Sequence, residues 1–316
     1  MEYDEYKAMN TTIQVAAEGN RDDLELGFQQ VRHFIAECEA RFSRFREDSE
    51  LCQLNRSAGT WFRASTDLIE LIKEALELYQ ITDGLFDPSI LEVLQRAGYD
   101  RSFDDMPEVG QPSVSVFAQP ALSRFGQASL DPIHGTVFLP AGVQVDFGGI
   151  AKGWIAEKAA DLLGEYTPVC AVSIGGDMVF HGTPTGEGSW QVSLEDPLDE
   201  QSVLAVLKVG SGALATSTVT RRRWMQGSQL RHHIIDPRTG APADVEWVSV
   251  SVGAPKATTA EAFAKAILIG GSLVGTQLAA QIPGLWFIAV HPDGRLSGTH
   301  KSKEMVYESV QFQPTT

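Results

Sequence analysis

Three short segments of this chain carry the residue types that chemistry needs. Asp146-Phe147-Gly148-Gly149-Ile150-Ala151-Lys152-Gly153 puts three glycines and a lysine where an apolar run turns into a helical pattern. Glycine backbone lets anionic oxygens approach the N–H groups of a helix start, and lysine adds positive charge. The string matches neither the dinucleotide glycine fingerprint nor the Walker lysine loop, and a tight strand-to-helix turn has the same composition. Ser173-Ile174-Gly175-Gly176-Asp177 ends the next apolar run similarly, with paired glycines for close approach and an acid able to accept from a ribose hydroxyl or a ring N–H. His232-His233-Ile234-Ile235-Asp236-Pro237-Arg238-Thr239-Gly240 gathers histidine, acid and arginine around a proline-restricted turn. These types can act as general base, orienting carboxylate and phosphate-reading guanidinium. They also suit a plain β-turn in which Asp236 and Arg238 bond the backbone.

The elements around these segments follow from hydrophobic spacing. Leu24, Val31, Phe34, Ile35, Cys38 and Phe42 recur at three-to-four-residue intervals and predict a helix over residues 22–45. A second helix is expected after Asp67, with Asp67 as its cap and Glu70 reaching back, running through Leu71, Ile72, Leu76 and Tyr79 until Asp83-Gly84 stops it. Further helical patterns lie at 150–163 and 260–269. Strands are expected at 143–146, 169–174, 190–194, 203–209, 232–235, 247–252 and 286–290. Strands and helices do not alternate one for one, which predicts an α+β fold with mixed or antiparallel sheets rather than a doubly wound parallel one. Residues 99–132 are rich in Pro, Ser, Gly and Asp and read as loop, the place for a boundary between subdomains of an otherwise single domain spanning 1–316.

Composition narrows the partners. The chain has 316 residues, 43% hydrophobic and 21% charged, enough to bury a large core. A net charge of −16 disfavours nucleic acid and anionic membrane surfaces but leaves room for a locally basic pocket holding a phosphorylated ligand. Three cysteines, Cys38, Cys52 and Cys170, lack CxxC spacing and predict buried thiols rather than disulfides or zinc ligands. The first ten residues carry Glu2, Asp4 and Glu5 with no basic patch or apolar run, and no apolar stretch approaching the ~20 residues of a membrane span is expected. A cytoplasmic protein is the expectation, although a removed leader would leave the same appearance. Oligomeric state is not legible.

The order DFGGIAKG, SIGGD, TSTVTRRRW, HHIIDPRTGAP and TTAEAFAKA resembles the ApbE family of FAD:protein FMN transferases. Upstream, Met9-Asn10-Thr11, Ser43-Arg44-Phe45, Ser49-Glu50, Leu54-Asn55 and Gly84-Leu85-Phe86-Asp87-Pro88-Ser89 extend the match to about residues 8–271. The resemblance implies a T-fold-related α+β architecture with two related halves around a flavin cleft. It implies transfer of FMN from FAD to a Ser or Thr hydroxyl of an acceptor flavoprotein, with release of AMP and magnesium on the pyrophosphate. It places Met9, Asp87, Ser89, Asp146, Gly149, Lys152, Gly175, Gly176, Asp177, Ser217 and Arg238 at the nucleotide. His233 becomes the group that takes the acceptor's proton, paired with Asp236, and the Ala151 carbonyl, Glu261 and Lys265 fall on metal positions.

This sequence departs from the family pattern at three places. Asn10 stands where glycine is usual, and Asn tolerates the same left-handed backbone. Thr218-Val219-Thr220-Arg221-Arg222-Arg223 replaces Gly-x-Tyr-Glu-Arg, giving guanidinium groups that read phosphates or form a solvated face. Glu261 and Lys265 stand where Asp and Thr or Ser are usual, and a protonated lysine cannot be a ligand. Thr258 and Glu261 also have capping-box spacing, and Glu261 with Lys265 has favoured ion-pair spacing. The alternatives left open are an FAD pyrophosphatase, with water as acceptor, and a non-catalytic FAD-binding protein with an altered metal site.

Overall fold

The structure, a computed structural model, describes residues 1–101, 103, 124–309 and 312–314. It divides into two compact units between which the chain passes four times: Met1–Glu37, Lys152–Thr220 and Val245–Thr316 form the first, Cys38–Ala151 and Arg221–Asp244 the second. The expected boundary loop at 99–132 falls largely on residues outside the described set.

The first unit is built on a nine-stranded sheet. Its order begins with the N-terminal hairpin Glu2–Ala8 and Thr11–Ala17, followed by Cys170–Ile174, Asp177–His181, Gly212–Thr218, Ser249–Ala254 and Trp286–Val290. Each of these neighbours pairs antiparallel, and only the last pair, Leu296–Gly298 with Phe312–Pro314, runs parallel. Thr11–Ala17 buries Ile13, Val15 and Ala17 in strict alternation, whereas Ser249–Ala254 and Trp286–Val290 are buried at every position, as central strands covered on both faces must be. A second sheet joins Trp190–Asp196, Asp199–Val209 and Val306–Ser309. The helix Ala151–Gly164 and the longer Ala257–Ala279 belong to this unit except for Ala151. They approach so closely that a Cβ on Gly153 would lie 2.7 Å from the Ala257 carbonyl oxygen.

The second unit carries the helices Glu50–Arg56, Thr66–Ile81 and Leu91–Arg96, a small sheet of Trp61–Arg63, Thr136–Phe138 and Ser129–Asp131, and the hairpin Arg223–Gln226 with Gln229–His232. Trp224 locks that hairpin down: its Nε1 donates to the Ala97 carbonyl at 2.7 Å and its ring stacks on Tyr99.

The α+β expectation holds, as do the helices near 22–45 and 150–163 and most expected strands. Four details differ. Residues 143–146 join no ladder, because the Asn55 side chain takes both backbone groups of Val145, accepting from its N–H and donating to its carbonyl. The second helix is capped by Ser65, whose Oγ accepts from Leu68, while Asp67 pairs with Arg41. The capping box at Thr258 does not form. The helix starts at Ala257, whose N–H is taken by Glu157 at 2.6 Å, and Glu261 is engaged elsewhere. Finally, Ala257–Ala279, kinked at Gly271 (φ 72°, ψ −168°), is long and apolar enough by length and composition to cross a bilayer, with an 18-residue window of mean hydropathy 1.4, contrary to expectation. Its hydropathy comes from Ala and Ile packed inward, with Ala260, Phe263, Ala264 and Ile267 fully buried.

Gly253 faces Trp286 across the sheet, and a Cβ there would fall 2.2 Å from the indole. The variant Gly253→Ala is expected to lose roughly 1–3 kcal/mol of stability by overpacking, read as a lowered urea midpoint with an unchanged slope.

Candidate active site

In the first unit, two tight hairpin turns sit side by side. Ala8 pairs with Thr11 across Met9 (φ 53°) and Asn10 (φ 54°), and Ile174 pairs with Asp177 across Gly175 (φ 61°) and Gly176 (φ 93°). Two successive residues at positive φ are what a two-residue hairpin needs. Asn10 therefore does what glycine would do, while Met9 holds a conformation uncommon for its type. The Gly175 N–H donates to the Thr12 carbonyl at 3.0 Å, and a Cβ on Gly175 would lie 2.4 Å from Thr11 Oγ1, so glycine is required there on two counts. The strand Gly212–Thr218 pairs with Asp177–His181 at Leu214 and Met178 and runs on toward the same end of the sheet, carrying the buried Ser217. The register thus gathers Met9, Gly175, Gly176 and Ser217 at one sheet end.

Beneath these turns lies a buried ion network. Lys152, in the first turn of the helix Ala151–Gly164, contacts Asp177 Oδ2 and stands 3.4 Å from Glu261 Oε1. Lys265, one turn beyond Glu261, approaches that same Oε1 at 3.3 Å, and the Gly153 N–H donates to Glu261 Oε2 at 2.8 Å. The side chains of Asp177 and Glu261 are 2% and 1% exposed, those of the lysines 19% and 20%, so the acids are the buried partners and the lysines the accessible ones. Burial raises the Asp177 carboxyl against the pull of Lys152. Burial works the same way on Glu261, but there Lys152, Lys265 and the Gly153 N–H together hold the group below its ordinary range. Two acids thus face two bases, and the bases are the more exposed members. Residues 261 and 265 therefore do not present the oxygen donors a hard divalent cation needs: one position is an ammonium and both Glu261 oxygens already accept. Among the described residues no group of three or more His, Cys, Asp or Glu side chains could hold a metal ion.

In the second unit, Asp87 is buried and its Oδ1 accepts from both the N–H and the hydroxyl of Ser89 at 2.7 Å. The Asp146 N–H donates to the Pro88 carbonyl, bringing Asp87, Ser89 and Asp146 into one locality, and Asp146 Oδ1 accepts from Gly148. Gly149 and Ala151 follow in the same turn, with the Ala151 N–H donating to the Phe147 carbonyl. Behind Asp146 stands Arg44, a residue to which the sequence reading gave no role. Its guanidinium is 6% exposed, lies 4.4 Å from the rings of both Phe45 and Tyr99, donates to the Tyr99 carbonyl, and has Nε 3.5 Å from Asp146 Oδ2. Position in a resembling motif was the only signal that could have found it.

The His232–Gly240 segment takes the form of the plain turn. Arg238 folds back on Asp236 through its backbone N–H, Nε and Nη2, at 2.8–3.2 Å, and Thr239 and Gly240 donate to the Asp236 carbonyl. The Asp236 carboxylate holds Arg238, and Arg238 holds the turn. His233 is half-buried just before the short strand Ile235–Asp236. Its neighbour His232 is pushed below its ordinary value of 6.5, chiefly by burial and further by Arg223 and Arg231. Of the three arginines after Thr220, Arg222 adopts positive φ and Arg221 and Arg223 are exposed.

A model of the ApbE family matches residues 9–288, and the chain belongs to that family. It is 28% identical to the FAD:protein FMN transferase of Treponema pallidum over 287 residues, covering 87% of this chain and 79% of the relative. It is also 28% identical to the Vibrio cholerae protein of the same name, covering 82% and 78%. Among solved structures, the ApbE protein of Thermotoga maritima superposes with a TM-score of 0.83 at 24% identity over 97% of this chain and all of that one. A variant of the Vibrio cholerae flavin transferase ApbE gives 0.80 at 25% over 96% and 100%.

Removing Lys152 as Lys152→Met leaves Asp177 and Glu261 facing each other with one ammonium group. Stability is expected to fall by roughly 3–5 kcal/mol by chemical denaturation, and Asp177→Asn in the same chain should return a large part of it. For His232, a folded-state value below the unfolded one means that its contribution to stability is complete above pH 6.5 and is lost as pH falls through the folded value. The variant His232→Gln is therefore expected to flatten the decline of Tm between neutral and mildly acidic pH; an unchanged decline counts against this assignment.

Proposed function

We propose that this chain is an FAD:protein FMN transferase that joins the FMN half of FAD to a Ser or Thr hydroxyl of an acceptor flavoprotein and releases AMP. The observation that carries the reading is the paired turn Met9–Asn10 and Gly175–Gly176 beside Lys152, where close backbone approach and buried-acid-backed ammonium groups suit a pyrophosphate. Family membership and the names of the relatives point the same way.

The reaction is an in-line displacement at the FMN phosphorus. The acceptor oxygen forms a bond to phosphorus, the bond from phosphorus to the AMP oxygen breaks, and AMP leaves with that electron pair. Lys152 and Lys265 offset charge on the phosphoryl oxygens. His233 takes the proton of the acceptor hydroxyl, a role imidazole fills near neutral pH. Asp236 and Arg238 act together as positioning residues that shape the turn following His233, in place of separate roles as base partner and phosphate reader. Asp87, Ser89 and Asp146 present oxygens to the nucleotide's polar edges, and Ser217 donates to a phosphate oxygen. Magnesium is expected from the resemblance, but the donor set at residues 261 and 265 does not fit it.

The test incubates the purified chain with FAD and a domain bearing an exposed Ser or Thr, following nucleotides and intact protein mass together. AMP with an FMN adduct on the acceptor is the expected result. Free FMN without adduct would replace the transferase by a hydrolase, and intact bound FAD would leave only a binding protein. His233→Ala is expected to slow transfer by roughly 10²–10⁴-fold at saturating FAD.

A further inference from the structure

The network of Lys152, Asp177, Glu261 and Lys265 is closed on itself. Glu261 Oε1 receives two ammonium groups at 3.3 and 3.4 Å, Oε2 receives the Gly153 N–H, and the second acid, Asp177, is held by Lys152. A cation entering at Glu261 Oε1 would meet the two ammonium groups already gathered there. Both lysine side chains are about one-fifth exposed while both acids are buried, so of the four side chains the lysines are the ones a ligand can reach. Glycine at 153 is part of the arrangement, since only without a Cβ can the two helices approach closely enough for its N–H to bond Glu261.

We infer that Lys265 is a built-in counter-ion: with Lys152 it supplies the positive charge that the pyrophosphate of FAD needs, and the chain binds FAD without taking up a divalent cation at residues 261 and 265. The inference deepens the proposed function and rests on it for the identity of the ligand. Its core, the refusal of a divalent ion by this cluster, stands on the geometry alone. Lysine suits the position because a single ammonium on a flexible stem is a point charge that needs no coordination sphere.

The experiment uses the full chain and two binding readouts independent of turnover. First, Mn²⁺ alone is titrated into the chain and free Mn²⁺ is followed by its paramagnetic resonance signal. The native chain is expected to leave that signal undiminished, and Lys265→Thr, which restores an oxygen beside Glu261, to reduce it. Second, FAD affinity is measured by calorimetry in EDTA and in excess magnesium. The native value is expected to be the same in both. Lys265→Met, which keeps length and loses charge, is expected to weaken FAD by about tenfold or more in either buffer, with Lys265→Arg recovering most of the loss. Stoichiometric Mn²⁺ uptake by the native chain, or FAD binding about tenfold tighter with magnesium, overturns the inference. Native-like FAD affinity in Lys265→Met overturns it equally. Failure of FMN transfer alongside the expected binding results would instead remove the transferase reading and leave the counter-ion in place.

Discussion

The buried carboxylate of Glu261 is the constraint on which the first unit's arrangement depends. A charge taken that far from water persists only with partners on every side, and it finds them on two different elements: Lys152 and Gly153 on one helix and Lys265 on its own. Asp177 joins through Lys152 and brings in the start of the fourth strand of the sheet. Two helices and a hairpin are thereby pinned at one point, and the glycine turn is held above it. Buried ion pairs contribute little net stability, but they specify geometry, because any other register leaves a charge unpaired.

The second unit relies on neutral and mixed contacts to the same end. Asn55 satisfies a stretch of backbone that no strand covers, and Arg44, between two aromatic rings, backs the carboxylate of Asp146. The Asp87 carboxylate is spent on shaping the turn at Ser89, and that of Asp236 on clamping Arg238. These acids fix loops first and leave their remaining lone pairs for a ligand. Function in such a site rests on loop shape more than on any free charged side chain.

The sequence by itself determined much of this. Spacing of apolar residues gave the class of fold and most strands, because one-sided burial imprints its period on the chain. The paired glycines at 175 and 176 located one of the two hairpin turns, since positive φ leaves a compositional mark. Motif order carried the family, and the substitution of lysine at residue 265 was visible as a departure from it.

What only the tertiary structure decided concerns partners distant in the chain. Asn55 reaches Val145 across 90 residues and Gly153 reaches Glu261 across 108, and no local pattern announces either bond. The helix cap at Ser65 displaced Asp67 because Arg41, on another helix, claimed the nearer acid. Whether Arg238 reads a phosphate or holds its own turn was likewise open in the sequence, since the same guanidinium serves both. Side chains with several possible partners are resolved by which partner the fold brings near, and that is a property of packing, not of residue type.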